Sequence, residues 1–275
     1  AVPRRIGLVG VGTIGSAVVR GLCSPGGPGP EVVLSPRGAA KAAALRAEFP
    51  ALVTVAGSNQ EVVDAVEFVI VAVLAKQAEE VLSALTFRPG QVVLSLIAAL
   101  PVPRLKELVA PAGECSLGIP LPAVAKRQGA SLLYPPQPAG QAIFDCLGTC
   151  LALADEAQFK RMLCCTALMG DFYKRQLTAQ QWLEAHGADA GQAAAYIGAL
   201  YATFGADSAR PGPRDLQHLV DEQTPGGLNE VVWKGQDADG SYDAVRHSLD
   251  AVHARLVGGR WDPELEPAAR RQRNA

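Results

Sequence analysis

Up to Asp155 the chain alternates short, unbroken apolar runs with stretches whose apolar residues recur at helical spacing; beyond it the runs stop. Residues 5–9, 31–34, 52–55, 68–73, 91–96 and 114–119 read as strands, and the fully apolar ones as strands buried on both faces. Helices are expected at 13–23, 38–48, after a Ser58 cap, at 76–85 and at 103–109. Two further strands, 130–134 and 149–153, flank a helix at 139–147. Strand and helix in alternation with short turns predict a doubly wound α/β sheet. From 156 onward only helices are expected, at 156–185, 188–205, 213–222, 227–235 and 241–257. The first carries Phe159, Met162, Leu163, Thr166, Ala167, Met169 and Gly170 at spacings that bury much of its surface. So small a helical domain supplies few partners for it, which predicts a homodimer through the helices, with higher oligomers open. The division is therefore 1–155, a Rossmann-type nucleotide-binding domain, and 156–275, an all-α dimerisation domain. The polar, basic stretch from Trp261 onward is expected to fray.

The first strand runs into Gly10-Val11-Gly12-Thr13-Ile14-Gly15 and then into a helix. That order is what a dinucleotide pyrophosphate needs. Gly10 permits the tight turn, Gly12 lets the backbone approach the phosphates, and Gly15 lets helix and strand pack closely. The helix start, with Thr13 and Ile14, offers unpaired N–H groups and a positive dipole end. At the end of the second strand, where this fold meets the adenosine ribose, an Asp or Glu would hold the 2′-hydroxyl of NAD. The chain has Ser35-Pro36-Arg37 there instead. A hydroxyl and a guanidinium suit a 2′-phosphate, so NADP is expected over NAD.

Composition narrows the remaining classes. With 49% hydrophobic residues a full core is available, and a net charge of −2 gives no electrostatic case for nucleic acid or a membrane surface. No apolar run reaches the ~18 residues of a membrane span. The basic pair Arg4-Arg5 leads into a strand rather than a signal-peptide core, and a cytoplasmic setting is the default. Cys23, Cys115, Cys146, Cys150, Cys164 and Cys165 are scattered and mostly apolar in context, as buried free thiols are. Cys146 and Cys150 lack a second ligand pair, and His247 and His253 share no helical face, so no metal site is expected.

A second informative stretch lies in the helical half: Thr224-Pro225-Gly226-Gly227-Leu228-Asn229. Pro225 rigidifies the turn, and Gly226 and Gly227 are expected to present their N–H groups at a helix start, a place for a carboxylate. Asn229 offers an amide donor and acceptor in the first helical turn. On the residues alone, an ordinary Pro/Gly connection between helices accounts for the stretch equally well.

Taken in order, these segments resemble the pyrroline-5-carboxylate reductase family, which reduces a cyclic imine to proline with NAD(P)H. The resemblance rests on the glycine turn, on Ser35-Pro36-Arg37, and on Ser95-Leu96-Ile97-Ala98-Ala99. It also rests on Thr166-Ala167-Leu168-Met169-Gly170 and, most specifically, on Thr224-Pro225-Gly226-Gly227. It implies a Rossmann domain, a helical domain entwined with a second subunit, and a site between them. Ala72, Val73 and Ala98 would line the cofactor. Thr224, Gly226, Gly227, Leu228 and Asn229 would surround the substrate, with Asn229 and Thr224 the catalytic candidates. The chain departs from the family pattern at Leu74-Ala75, at Ile119-Pro120-Leu121-Pro122, at Asp171-Phe172-Tyr173-Lys174 and at Asn229, each replacing a more polar or smaller family residue.

The activity this implies is NADPH-dependent reduction of a C=N bond in a small cyclic imine, pyrroline-5-carboxylate or a relative. A protonated imine is already a good electrophile, so the protein need mainly align it and hold its acid group, and no Ser-His-Asp set or carboxylate pair is required. Two alternatives stand beside it. One is a 3-hydroxyacid dehydrogenase using Lys174, one helical turn beyond Gly170, as its acid/base group. The other is a non-catalytic NADP-binding dimer.

Overall fold

The computed structural model describes residues 1–209 and 215–258; the stretch read as a frayed tail, from Trp261 on, lies outside them. The chain divides into two compact units, Ala1–Leu163 and Cys164–Ala275.

The first unit holds one eight-stranded sheet in the order β3-β2-β1-β4-β5-β6-β7-β8. Its strands are β1 (Arg5–Val9), β2 (Glu31–Leu34), β3 (Val53–Val55), β4 (Phe68–Val71), β5 (Val92–Ser95), β6 (Glu114–Pro120), β7 (Ala130–Tyr134) and β8 (Thr149–Ala152). The connecting helices are α1 (Thr13–Cys23), α2 (Ala39–Glu48), α3 (Asn59–Asp64), α4 (Ala78–Ser83), α5 (Val102–Leu108) and α6 (Pro138–Leu147). The first six strands are all parallel, whereas β7 runs antiparallel to β6 and β8 parallel to β7. Strands β1 and β4 are buried along nearly their whole length, because helices cover both faces of the sheet. The strand expected over 68–73 ends at Val71, and Ala72 to Leu74 leave the sheet as a loop.

Helix α1 is held against the rest of this unit by a close contact. A Cβ on Gly21 would lie 2.2 Å from the Val124 carbonyl oxygen and 2.5 Å from Leu147. The buried side chains Val18, Leu22, Phe144 and Leu147 fill the space around it. This packing fixes where the helix start points. Ser58 caps α3 as expected, its Oγ accepting the Glu61 N–H at 3.1 Å.

The helix expected over 156–185 is two helices, α7 (Glu156–Cys165) and α8 (Leu168–Ala185). Between them the N–H groups of Ala167 and Met169 bond carbonyls three residues back, Cys164 and Thr166, a tight turn that interrupts the α-helical ladder. The units divide after Leu163 rather than after Asp155. Phe159 of α7 is buried and its ring lies 5.4 Å from that of Tyr134, which keeps the first turns of α7 with the sheet.

The second unit continues with α9 (Ala190–Ala209), α10 (Leu216–Asp221), α11 (Leu228–Ala238) and α12 (Ser241–Leu256). Gly187, at φ +91°, ends α8, and Asp215 caps α10 in a reciprocal box with His218. Beyond Cys164 the only buried apolar residues among those described are Ala193 and Ile197. Met169, Gly170 and Ala167, expected to be covered, stand exposed. No helix among the described residues is long and apolar enough to cross a membrane. All six cysteines are free thiols. Burial pushes Cys23 and Cys150 up to about 11.

Candidate cofactor and substrate sites

The glycine turn leaves the carboxyl end of β1, beside β4, where the direction of winding reverses and nucleotides bind in such sheets. Each glycine has a different reason to be there. Gly10 sits at φ +95°, and a Cβ on it would come within 2.8 Å of the Ala72 carbonyl and Val73. A Cβ on Gly15 would crowd the Gly10 carbonyl oxygen at 3.0 Å and Leu8 at 3.2 Å. Both are demanded by the protein's own packing. Gly12 is not: its Cβ would meet only the Ala72 carbonyl oxygen, at an ordinary 3.7 Å. Gly12 is the N-cap of α1, yet no side chain caps that helix and its first turn carries no acid. A helix start left without a cap, behind a glycine that packing does not need, fits a bound anion. Thr13 is exposed at its rim and Ile14 half-buried.

Ser35 has a different role from the one expected. It is fully buried, and its Oγ accepts the Gly10 N–H at 3.0 Å. Its hydroxyl braces the glycine turn from behind instead of facing a phosphate. Arg37 is exposed just before α2. Gly38, at φ +86°, lets the α2 start pack against the Val11 carbonyl, where a Cβ would come to 3.0 Å. That contact brings Lys41, in the first turn of α2, over α1, and its Nζ donates to Thr13 Oγ1 at 3.3 Å. Lys41 is a second cation at this end of the site. A lysine one turn into the helix after β2 was the available signal.

Around the same strand ends, Ala72 and Val73 are half-buried and Ala98 is exposed. Ser95 is buried and its Oγ accepts the Ile97 N–H at 3.2 Å, shaping the loop that carries Ala98. Leu74 is exposed over 62% of its surface.

In the second unit, Thr224 to Gly227 form a β-turn with Pro225 and Gly226 at its centre. The Gly227 N–H donates to the Thr224 carbonyl at 2.9 Å, and Gly226 takes φ +70°. The two glycine amides are therefore not presented as expected. Gly227's is engaged in the turn, and Gly226's donates to Glu230 Oε2 at 2.6 Å. Asn229 Nδ2 donates to Gln223 Oε1 at 2.6 Å, which orients the amide and leaves its Oδ1 as the acceptor end. Thr224 and Leu228 are exposed. Helix α11 begins here with no side-chain cap on Gly227. Lys174 stands exposed on α8, and next to it Arg175 pairs with Asp171 at 2.8 Å.

Residues 5–99 match a protein-family model described as NADP oxidoreductase, coenzyme F420-dependent. The chain is 28% identical to a pyrroline-5-carboxylate reductase of Pseudomonas aeruginosa, over 91% of this chain and 95% of that one. A pyrroline-5-carboxylate reductase structure from Coxiella burnetii superposes with a TM-score of 0.80 at 17% identity, covering 93% of this chain and 98% of that one. A pyrroline carboxylate reductase from Plasmodium falciparum, solved with NADP bound, superposes with a TM-score of 0.74 at 14% identity, over 92% and 96% of the two chains. At these identities the structural likeness establishes the fold.

Proposed function

We propose that this chain is a reductase of the pyrroline-5-carboxylate reductase type, which reduces the C=N bond of pyrroline-5-carboxylate or a close relative with NADPH; its likeness to the Pseudomonas aeruginosa enzyme over nearly the whole of both chains supports the reading. The observation that carries the reading is the helix start at Gly12: uncapped, free of acids and kept clear of side chains without any need of packing. In this reading Gly10, Gly12, Thr13, Ile14 and Gly15 hold the pyrophosphate of NADP, with Ala72, Val73 and Ala98 along the cofactor. Bound NADPH supplies a hydride. Residues 224–229 hold the imine: Asn229 Oδ1 accepts the iminium N–H, and Thr224 with the amides at the start of α11 receives the acid group. Neither role needs a proton to move on the protein, which accords with the lack of a dyad in this loop.

Arg37 and Lys41 carry the choice of NADPH over NADH. Hydrogen bonds to charged groups contribute about 1.5–3 kcal/mol, so Arg37→Ala and Lys41→Ala are each expected to raise the KM for NADPH by about tenfold or more. The KM for NADH should stay near its wild-type value, and steady-state kinetics with both cofactors read the difference.

The helical unit in this reading is half of a homodimer. Met169, Phe172, Tyr173, Leu177 and Trp182 of α8 and Tyr196 and Phe204 of α9 expose from 42 to 61% of their surfaces. Two helices that leave this many large apolar side chains to water call for a partner, and a second copy is the one that brings a matching face.

The direct test of the activity is the loss of NADPH absorbance with pyrroline-5-carboxylate, run beside other cyclic imines. Turnover of an imine supports the reading. NADP-dependent oxidation of a 3-hydroxyacid, with no imine reduced, would replace it.

A further inference from the structure

The loop at 224–229 already contains a carboxylate. Glu230 lies three residues beyond the N-cap Gly227, and its side chain turns back over the loop. Oε2 accepts the Gly226 N–H at 2.6 Å, while Oε1 meets Lys234 Nζ, one turn on, at 2.6 Å. The Glu230 side chain is only 22% exposed, against 59% for Lys234. Lys234, and after it the Gly226 amide, hold the Glu230 carboxyl below the usual carboxylate range, so it is ionised at neutral pH. A fixed negative charge thus engages a donor that the sequence motif offers to a ligand's acid.

We infer that Glu230 is a specificity residue: its carboxylate takes the loop position that a substrate carboxylate would take, and so lowers the advantage of acid-bearing imines over imines without an acid. This rests on the reading of 224–229 as the substrate loop. A substrate carboxylate must either displace Glu230 from Gly226 or bind beside it at like-charge distance, and both weaken binding. An imine ring lacking the carboxylate meets neither cost, and its iminium charge is favoured by the nearby anion. The contact between Glu230 and the Gly226 amide also braces the turn that leads into α11, so loss of Glu230 has a stability cost that the test must separate from binding.

The test compares kcat/KM for pyrroline-5-carboxylate with that for 1-pyrroline, the same ring without its acid. It uses the full-length enzyme, Glu230→Gln, Glu230→Ala and Thr224→Val. Glu230→Gln keeps the shape and a hydrogen bond to Gly226 but removes the charge. In both Glu230 variants the ratio is expected to rise at least about tenfold, which is about 1.4 kcal/mol. The rise should be carried by the KM of the acid substrate, whatever the change in melting temperature. In Thr224→Val the ratio should fall. An unchanged or lower ratio in Glu230→Gln, with the fall in Thr224→Val retained, overturns the role of Glu230 and leaves the substrate loop standing. A ratio that moves in none of the variants overturns both.

Discussion

Replacing Gly12 by alanine is expected to weaken NADPH binding about a hundredfold while the protein stays folded. The new methyl group would meet only the Ala72 carbonyl oxygen, at 3.7 Å, and the backbone of Gly12 is extended enough for any residue. The same group would stand where a pyrophosphate must approach the helix start. Overpacking of a close contact costs up to about 3 kcal/mol, so NADPH affinity should fall by about a hundredfold. Gly10→Ala is the contrast. There φ is +95° and the Cβ would lie 2.8 Å from the Ala72 carbonyl, so the turn itself is strained and the melting temperature should drop. Quenching of protein fluorescence by NADPH, paired with a thermal melt for each variant, separates the two. A Gly12→Ala protein that binds normally, or that melts as early as Gly10→Ala, would mean that the glycine serves packing and not a ligand.

The second large effect is expected in the helices. Phe172, Tyr201 and Phe204 form an aromatic row across α8 and α9, with ring centroids 5.8 and 6.0 Å apart, and Phe172 and Phe204 are 45% and 56% exposed. Burying a phenylalanine side chain contributes about 1.5–3 kcal/mol, and a two-fold interface counts each residue twice. Phe172→Asp combined with Phe204→Asp should therefore weaken the dimer by about 6 kcal/mol or more, roughly a ten-thousandfold loss of affinity. Light scattering after gel filtration is expected to show a dimer for the native chain and a monomer for the variant. Activity should be lost with the dimer, because the described residues of the helical unit bury so little apolar surface among themselves. A native chain that is monomeric at micromolar concentration, or a variant that remains dimeric, would contradict this.

The sheet and its glycine turn were legible in the sequence because they depend on local signals. Unbroken apolar runs become strands covered on both faces, and the spacing of Gly10, Gly12 and Gly15 is itself the geometry of the turn. What escaped the sequence depends on where side chains finally point. Ser35 lies at the expected strand end, but its hydroxyl turns inward to the Gly10 amide, a contact across 25 residues of chain. Lys41 reaches Thr13 only because Gly38 lets α2 start close against Val11. The break between α7 and α8 is a choice of hydrogen-bond partner at Ala167 and Met169 that helical periodicity does not encode. In the Thr224–Gly227 turn the Pro-Gly pair signals the turn, and closing it engages the Gly227 amide with the Thr224 carbonyl. The engagement of Gly226 had a readable signal: Glu230 stands at the third helical position, where a carboxylate reaches back over the N-cap.

Isotope transfer reads out hydride delivery to the C=N carbon. The enzyme is incubated with NADPH deuterated at the transferring position of its nicotinamide and with pyrroline-5-carboxylate, and the product is read by mass spectrometry and proton NMR. The expected product is proline carrying one deuterium, on the ring carbon that was doubly bonded to nitrogen. Unlabelled pyrroline-5-carboxylate recovered from an enzyme that binds NADPH, with the label still on the cofactor, would contradict hydride delivery to that carbon.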